Sequence, residues 1–154
     1  MSAIFEGSPM HSSRKRRPTH KVRHHYRGAH TRSRRRTVLE HTSHSGNGAM
    51  DYTLLEGTYF QGYVQTPFSA LVAAFGTPGP GDDDGKITYR WLIVFADGTV
   101  ATVYDWKVSS RFRGPEGITP RELRSAASFS WTIGGHTKLA IWRIRQALAK
   151  VKGR

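Results

Sequence analysis

The chain is predicted to be an α+β protein, a small antiparallel sheet carrying two helices and preceded by a disordered basic arm. Three observations predict it. Two apolar runs flank Asp97-Gly98, a dipeptide suited to the positive backbone angles of a tight hairpin turn. Apolar residues recur at helical spacing on either side of that hairpin, over 68–75 and 141–151. The charge is split: residues 1–48 hold eleven Lys/Arg against Glu6 and Glu40, while all four tryptophans lie later in the chain.

Residues 1–48 read as an Arg/His-rich arm and linker. Their apolar residues, Ile4, Phe5, Val22, Tyr26, Val38 and Leu39, follow neither a helical nor a strand period. Burying so few side chains at ~25 cal/mol/Å² cannot offset ~1–2 kcal/mol per ordered residue, so the arm is expected to be disordered when free. Ser43-His-Ser-Gly-Asn-Gly48 has linker composition. Residues 49–154 are expected to form the compact domain and to fold without the arm.

Within the domain, 52–65 reads as an extended hairpin or a bent strand interrupted by Gly57 and Gly62. Thr66 is placed as an N-cap with Pro67 at the first helical position, followed by the stripe Phe68, Leu71, Val72, Phe75. Gly76 and Pro78 stop that helix, and 79–85 forms an exposed acidic loop. In the hairpin, 87–107, Tyr89, Trp91, Ile93 and Phe95 point one way and Leu92, Val94 and Ala96 the other. A strand apolar on both sides is covered on both sides, which makes this hairpin central. Residues 108–127 are polar and irregular, with Thr119-Pro-Arg-Glu122 capping a short helical turn. Residues 129–133 alternate like a strand, and Gly134-Gly135 turns the chain into a last helix. Ile141, Ile144, Leu148 and Val151 form its buried stripe, and Arg143, Arg145, Lys150 and Lys152 its wet side. Trp91 and Trp131 are assigned to the core.

Several classes are set aside. There is no cysteine, hence no disulfide and no thiolate zinc site. No apolar run approaches the ~20 residues of a membrane span. The start of the chain lacks a hydrophobic signal core, and its basic residues are clustered rather than spaced along an amphipathic helix as in a transit peptide. The histidines show no metal-binding spacing. Asp105 and His136 are the only acid–base pair to consider, and no nucleophile stands near either. A non-enzymatic protein without a cofactor is expected.

The arm carries Arg14-Lys15-Arg16-Arg17, Lys21, Arg23, Arg27, Arg32 and Arg34-Arg35-Arg36. Such clusters bind the phosphates of DNA or RNA by releasing counterions, and Tyr26 and the histidines add stacking. The competing readings are a solubilising tail and a nuclear localisation signal. In the domain, Ile133-Gly134-Gly135-His136-Thr137 is the candidate site for a nucleotide-like phosphorylated small molecule. Two glycines permit close backbone approach, helix-start amides favour an anion, and His136 and Thr137 add donors. Trp106 would stack a base and Lys107 would supply charge, provided the strand at 129–133 lies beside the hairpin. The plain alternative is a tight strand–helix connection. Arg111, Arg113, Arg121 and Arg124 read as a solvated loop in preference to a phosphate lid.

The blocks Leu55-Glu-Gly-Thr58, Gly62-Tyr-Val64, Phe75-Gly-Thr-Pro78, Trp91-Leu-Ile-Val-Phe-Ala-Asp-Gly98, Ala101-Thr-Val-Tyr-Asp-Trp-Lys107 and Trp131-Thr-Ile-Gly-Gly135 resemble those of a family of small, mostly uncharacterised phage and other viral proteins. The resemblance covers most of 52–150 and none of the arm. It implies a viral accessory protein and no known enzyme, with a place in the host cytoplasm, the nucleus of a eukaryotic host, or the virion. By analogy with small viral domains, the expectation is capture of a nucleotide-like ligand or a host factor. The alternatives are a plain nucleic-acid-binding or virion-associated structural protein and a hydrolase of a nucleotide signal. A homo-oligomer is compatible with all three.

Overall fold

The computed structural model describes residues 40–44 and 50–153. The basic clusters between Arg14 and Arg36 lie outside the described residues. The elements run β1 (His41–Ser43), β2 (Tyr59–Thr66), α1 (Phe68–Phe75), β3 (Gly79–Pro80), β4 (Tyr89–Phe95), β5 (Val100–Tyr104), α2 (Ser110–Arg113), α3 (Pro120–Ser125), β6 (Phe129–Gly135) and α4 (Leu139–Lys152), with 3₁₀ turns at Tyr52–Leu55 and Gly114–Glu116. All strands pair antiparallel, in the order β1-β4-β5-β6-β2, with β3 also on β4. This is the α+β fold that the sequence predicts.

The hairpin forms where expected. Gly98 takes φ +81°, and β4 and β5 pair from Arg90↔Tyr104 to Val94↔Val100. Trp91, Leu92 and Ile93 are fully buried, so β4 is covered on both faces. Helices α1, α3 and α4 pack on one face of the sheet. There Leu71, Phe75, Leu123, Ile144 and Leu148 close over Trp91, Phe95, Val103, Trp131 and Ile133. The indole N–H of Trp91 donates to Gly76 O (2.8 Å) and that of Trp131 to Thr66 O (3.0 Å), so neither burial strands a polar group. The opposite face is covered only in part: Met50, Leu54 and Leu55 pack on Leu92, Val94 and Val100.

Five local expectations are corrected. The reading of 1–48 as arm and linker does not hold at 41–43, because His41–Ser43 pairs with Ile93–Phe95. Backbone bonds Ala96 N→Glu40 O and His44 N→Leu92 O extend the pairing, and the His41 ring meets Phe75 (5.1 Å) and Phe95 (5.8 Å). Three residues are too few to show a period, and the pairing rests on backbone groups that every sequence carries. A fragment beginning at 49 therefore loses a strand.

Thr66 ends β2 opposite Phe129, which leaves Pro67 as the N-cap of α1. Over 52–65 a 3₁₀ turn capped by Asp51 leads into one strand with an irregularity at Gly62, so of the two readings, hairpin or bent strand, the hairpin is the one corrected. The β2–β6 register shifts between Phe60 and Gly62, where Gly62 sits at φ +142° with Ile141 in the space a Cβ would need. The acidic loop is not wholly exposed: Gly85 is buried and Asp82 half-buried. Finally, the described residues hold four α-helices rather than two. The capping box of Thr119 and Glu122 starts α3 as its sequence suggests, while α2 has no such signal.

Candidate ligand-binding groove

The part of the sheet left open by Met50, Leu54 and Leu55 is a groove of about 200 Å³. Its floor comes from three adjacent strands, through the cross-strand pairs Arg90↔Tyr104 and Thr102↔Gly134. Leu55, Thr58, Tyr59 and Phe60 form one wall, and Asp82, Ile87 and Trp106 the other. Gly134 keeps the floor flat, since a Cβ there would collide with Thr102 Oγ1.

Charge enters as one pair. Arg90 NH2 lies 2.6 Å from Asp82 Oδ1, with the arginine side chain only 10% exposed. A guanidinium this far from water needs its partner, and both residues of the pair line the groove. Arg90 shares the strand face of Leu92 and Val94. It is the one charge inside an apolar strand, and that is its signal in the sequence. Burial pushes the Tyr104 hydroxyl above the usual phenol range, against the pull of the Arg90 charge, so the phenol stays protonated at neutral pH.

Trp106 is 45% exposed and meets Tyr104 edge to face, ring centroids 6.1 Å apart. Lys107 Nζ stands 5.1 Å from the Trp106 ring and 5.6 Å from that of Phe112. Lys107 is the single non-glycine at positive φ (+54°) among the described residues. That conformation costs about 1–3 kcal/mol, and two backbone bonds hold it: Lys107 N→Lys86 O (2.7 Å) and Arg113 Nε→Lys107 O (2.8 Å). The loop that carries Asp82 and Ile87 is pinned by Asp105, whose Oδ1 accepts from Thr88 N (2.9 Å) and Tyr89 N (2.8 Å). Burial raises the Asp105 carboxyl above the usual carboxylate range despite these bonds, and its Oδ2 is buried without a partner.

The predicted site is brought together only in part. Trp106 and Gly134 line the same groove, whereas Lys107, Gly135, His136 and Thr137 do not. Gly134-Gly135 is not a turn into a helix: both residues lie in β6, opposite Phe60 and Tyr59, and α4 begins only at Leu139. Gly135 faces the helical layer, where a Cβ would strike Ala140 and lie 2.9 Å from Val100 O. The reason is strand direction. β6 does lie beside the hairpin, but antiparallel to β5, so Ala101↔Gly135 and Tyr104↔Thr132 are the two ends of the ladder. His136 and Thr137 leave from one end and Asp105, Trp106 and Lys107 from the other. The same geometry separates Asp105 from His136, which sits exposed beside Gly57. At the α4 start, Lys138 occupies the N-cap without a side-chain cap, and Thr137 Oγ1 already accepts from Leu139 N.

Among the described residues, no group of three His, Asp or Glu could hold a metal ion, and no helix is long and apolar enough to cross a membrane. What the groove can do chemically is offer aromatic rings from Tyr59, Phe60 and Trp106 together with one guanidinium and one carboxylate. No family model matches the chain, and no curated protein matches it at a significant level.

Proposed function

We propose that the protein is a non-enzymatic binding protein whose groove captures a nucleotide-like phosphorylated ligand and whose arm holds DNA or RNA. The observation that carries the reading is the meeting of Trp106 and Gly134 in one groove with the Arg90–Asp82 pair at its floor. A base fits against Trp106 and Tyr104, and Lys107 stands at the strand end for a phosphate. The carboxylate of the groove lining, Asp82, is taken by Arg90, which leaves the Thr58 and Thr102 hydroxyls without a free base and favours capture over hydrolysis. The viral accessory role rests on the sequence resemblance alone.

Calorimetry of the full chain against mononucleotides and cyclic dinucleotides tests the reading. Binding at micromolar concentration, weakened at least tenfold by Trp106→Ala and by Arg90→Met, is the expected result. Heat from no member of the panel overturns it in favour of a plain nucleic-acid-binding or virion-associated protein. Product appearing in the cell identifies a hydrolase instead.

A further inference from the structure

We infer that the outer stripe of α4, where it runs along the β2 edge, is a binding surface for single-stranded nucleic acid. The inference is independent of the groove, and it concerns the folded domain rather than the arm.

Charge is the first observation. No Asp or Glu follows Glu122 anywhere in the chain, and β2 carries no charge of either sign. Lys138, Trp142, Arg145 and Lys152 stand at separations of four, three and seven, which places them on one side of the helix. All four are exposed. The stripe is fixed against β2 at two points: Lys138 Nζ donates to Gln61 O (2.8 Å) and Arg145 NH2 reaches Tyr63 O (3.4 Å). A carbonyl partner is neutral, so each cation keeps its charge while its position is set. Farther along, a shallow pocket of about 180 Å³ opens between the β2 end and α4, with Arg145 and Lys152 among its lining.

The second observation is Trp142. It is 50% exposed and lies off the buried stripe of α4, so the core does not require it. It is nevertheless held in place. The Arg143 guanidinium lies 4.7 Å from the ring centroid, and that guanidinium is fixed by two bonds to Asp97 Oδ2 (Nε 3.0 Å, NH2 2.8 Å). A half-exposed indole held by a fixed guanidinium is a stacking platform. Cations at set positions beside such a platform, with the Asp97 carboxylate already engaged by Arg143, match a strand whose phosphates and bases are both accessible. A duplex hides its base faces and leaves Trp142 unused, and an acidic peptide uses the cations without needing the ring.

The test uses the full chain with a single-stranded oligonucleotide carrying 5-bromouracil, photocrosslinked and mapped by peptide mass, together with anisotropy titrations over a range of salt. A crosslink in the peptide bearing Trp142 is expected. Trp142→Ala should weaken binding by about 5- to 160-fold, the range for losing one stacked base, and Trp142→Phe should restore most of it. Arg145→Glu with Lys152→Glu should flatten the salt dependence by about 1.4 logarithmic units per unit, the contribution of two phosphates on a single strand. Arg111→Glu with Arg121→Glu removes the same net charge elsewhere and should leave affinity within about twofold. Crosslinks confined to residues 1–39, or equal weakening by the two charge-reversed pairs, overturn the proposal. So does a duplex bound as tightly as the single strand with Trp142→Ala without effect. The crosslink is read on the unaltered chain and stands even where a variant fails to fold.

Discussion

Trp91 and Trp131 meet edge to face in the centre of the domain, their ring centroids 5.5 Å apart and their planes at 87°. They come from β4 and β6, the two neighbours of β5, and Phe68 of α1 closes on both at 5.4 and 6.1 Å. One aromatic cluster thus joins three elements distant in sequence. Trp91→Ala should lower unfolding free energy by about 3–5 kcal/mol, through the cavity and the orphaned Gly76 carbonyl. A denaturant midpoint unchanged from the wild type would show the cluster to be dispensable.

Gly134 and Gly135 should behave differently although adjacent. Gly135→Val drives a side chain into Ala140 and Val100 O, and should destabilise the domain by about 1–3 kcal/mol or more. Gly134→Ala crowds Thr102 on the opposite face, at the groove floor, and should weaken nucleotide binding more than it lowers the melting temperature. Thermal melts paired with ligand titrations separate the two. A Gly135→Val protein with native stability and no ligand binding would return the site to the helix start.

Asp105 should make stability depend on pH. Burial raises its carboxyl in the folded state above the unfolded value, so the folded chain holds the proton more tightly. Its contribution is fully present below the unfolded value, near pH 3.9, and is lost as pH rises through the folded one. Asp105→Asn keeps an acceptor for Thr88 N and Tyr89 N and cannot ionise. The variant should therefore gain stability relative to the wild type as pH rises across that window. Asp105→Ala, which strands both amides, should cost about 1–3 kcal/mol at low pH, where the wild type keeps its full contribution, and less as pH rises. A difference curve between Asn and wild type that stays flat with pH would refute the assignment.

The eleven Lys/Arg of residues 1–48 are enough to engage about 6–10 phosphates. Nucleic-acid affinity of the full chain should then fall by ~10³–10⁵ between 50 and 200 mM salt. Anisotropy titrations of a chain beginning at Glu40, which keeps β1, give the control. Salt-independent binding by the full chain would rule the arm out.

The parts of the fold legible in sequence are those whose signal is local. Asp97-Gly98 announces its turn, the spacing of Phe68, Leu71 and Phe75 announces α1, and Thr119 with Glu122 announces α3. What escapes is set by pairing. His41–Ser43 has no pattern of its own and becomes a strand because β4 offers it an edge. Gly134-Gly135 looks like a connection, and only the direction of β6 against β5 shows it to be strand. The groove follows the same rule. Trp106 is found because an aromatic beside a charge at a strand end is unusual, and Gly134 because glycine pairs stand out. Asp82, Arg90 and Phe60 belong to three separate segments, and only the assembled sheet brings them to one place.

The contacts of Lys138 and Arg145 with Gln61 O and Tyr63 O have a further consequence. β2 is an eight-residue edge strand with no charged side chain and no proline, the kind of border on which identical chains stack into fibrils. Two of its acceptors are already taken, and a second copy approaching that border meets like charges instead. Neutralising Lys138 and Arg145 together should therefore shift the protein toward assemblies visible by light scattering, even with nucleic acid absent. In this chain, solubility and the grip on a polyanion draw on the same two cations.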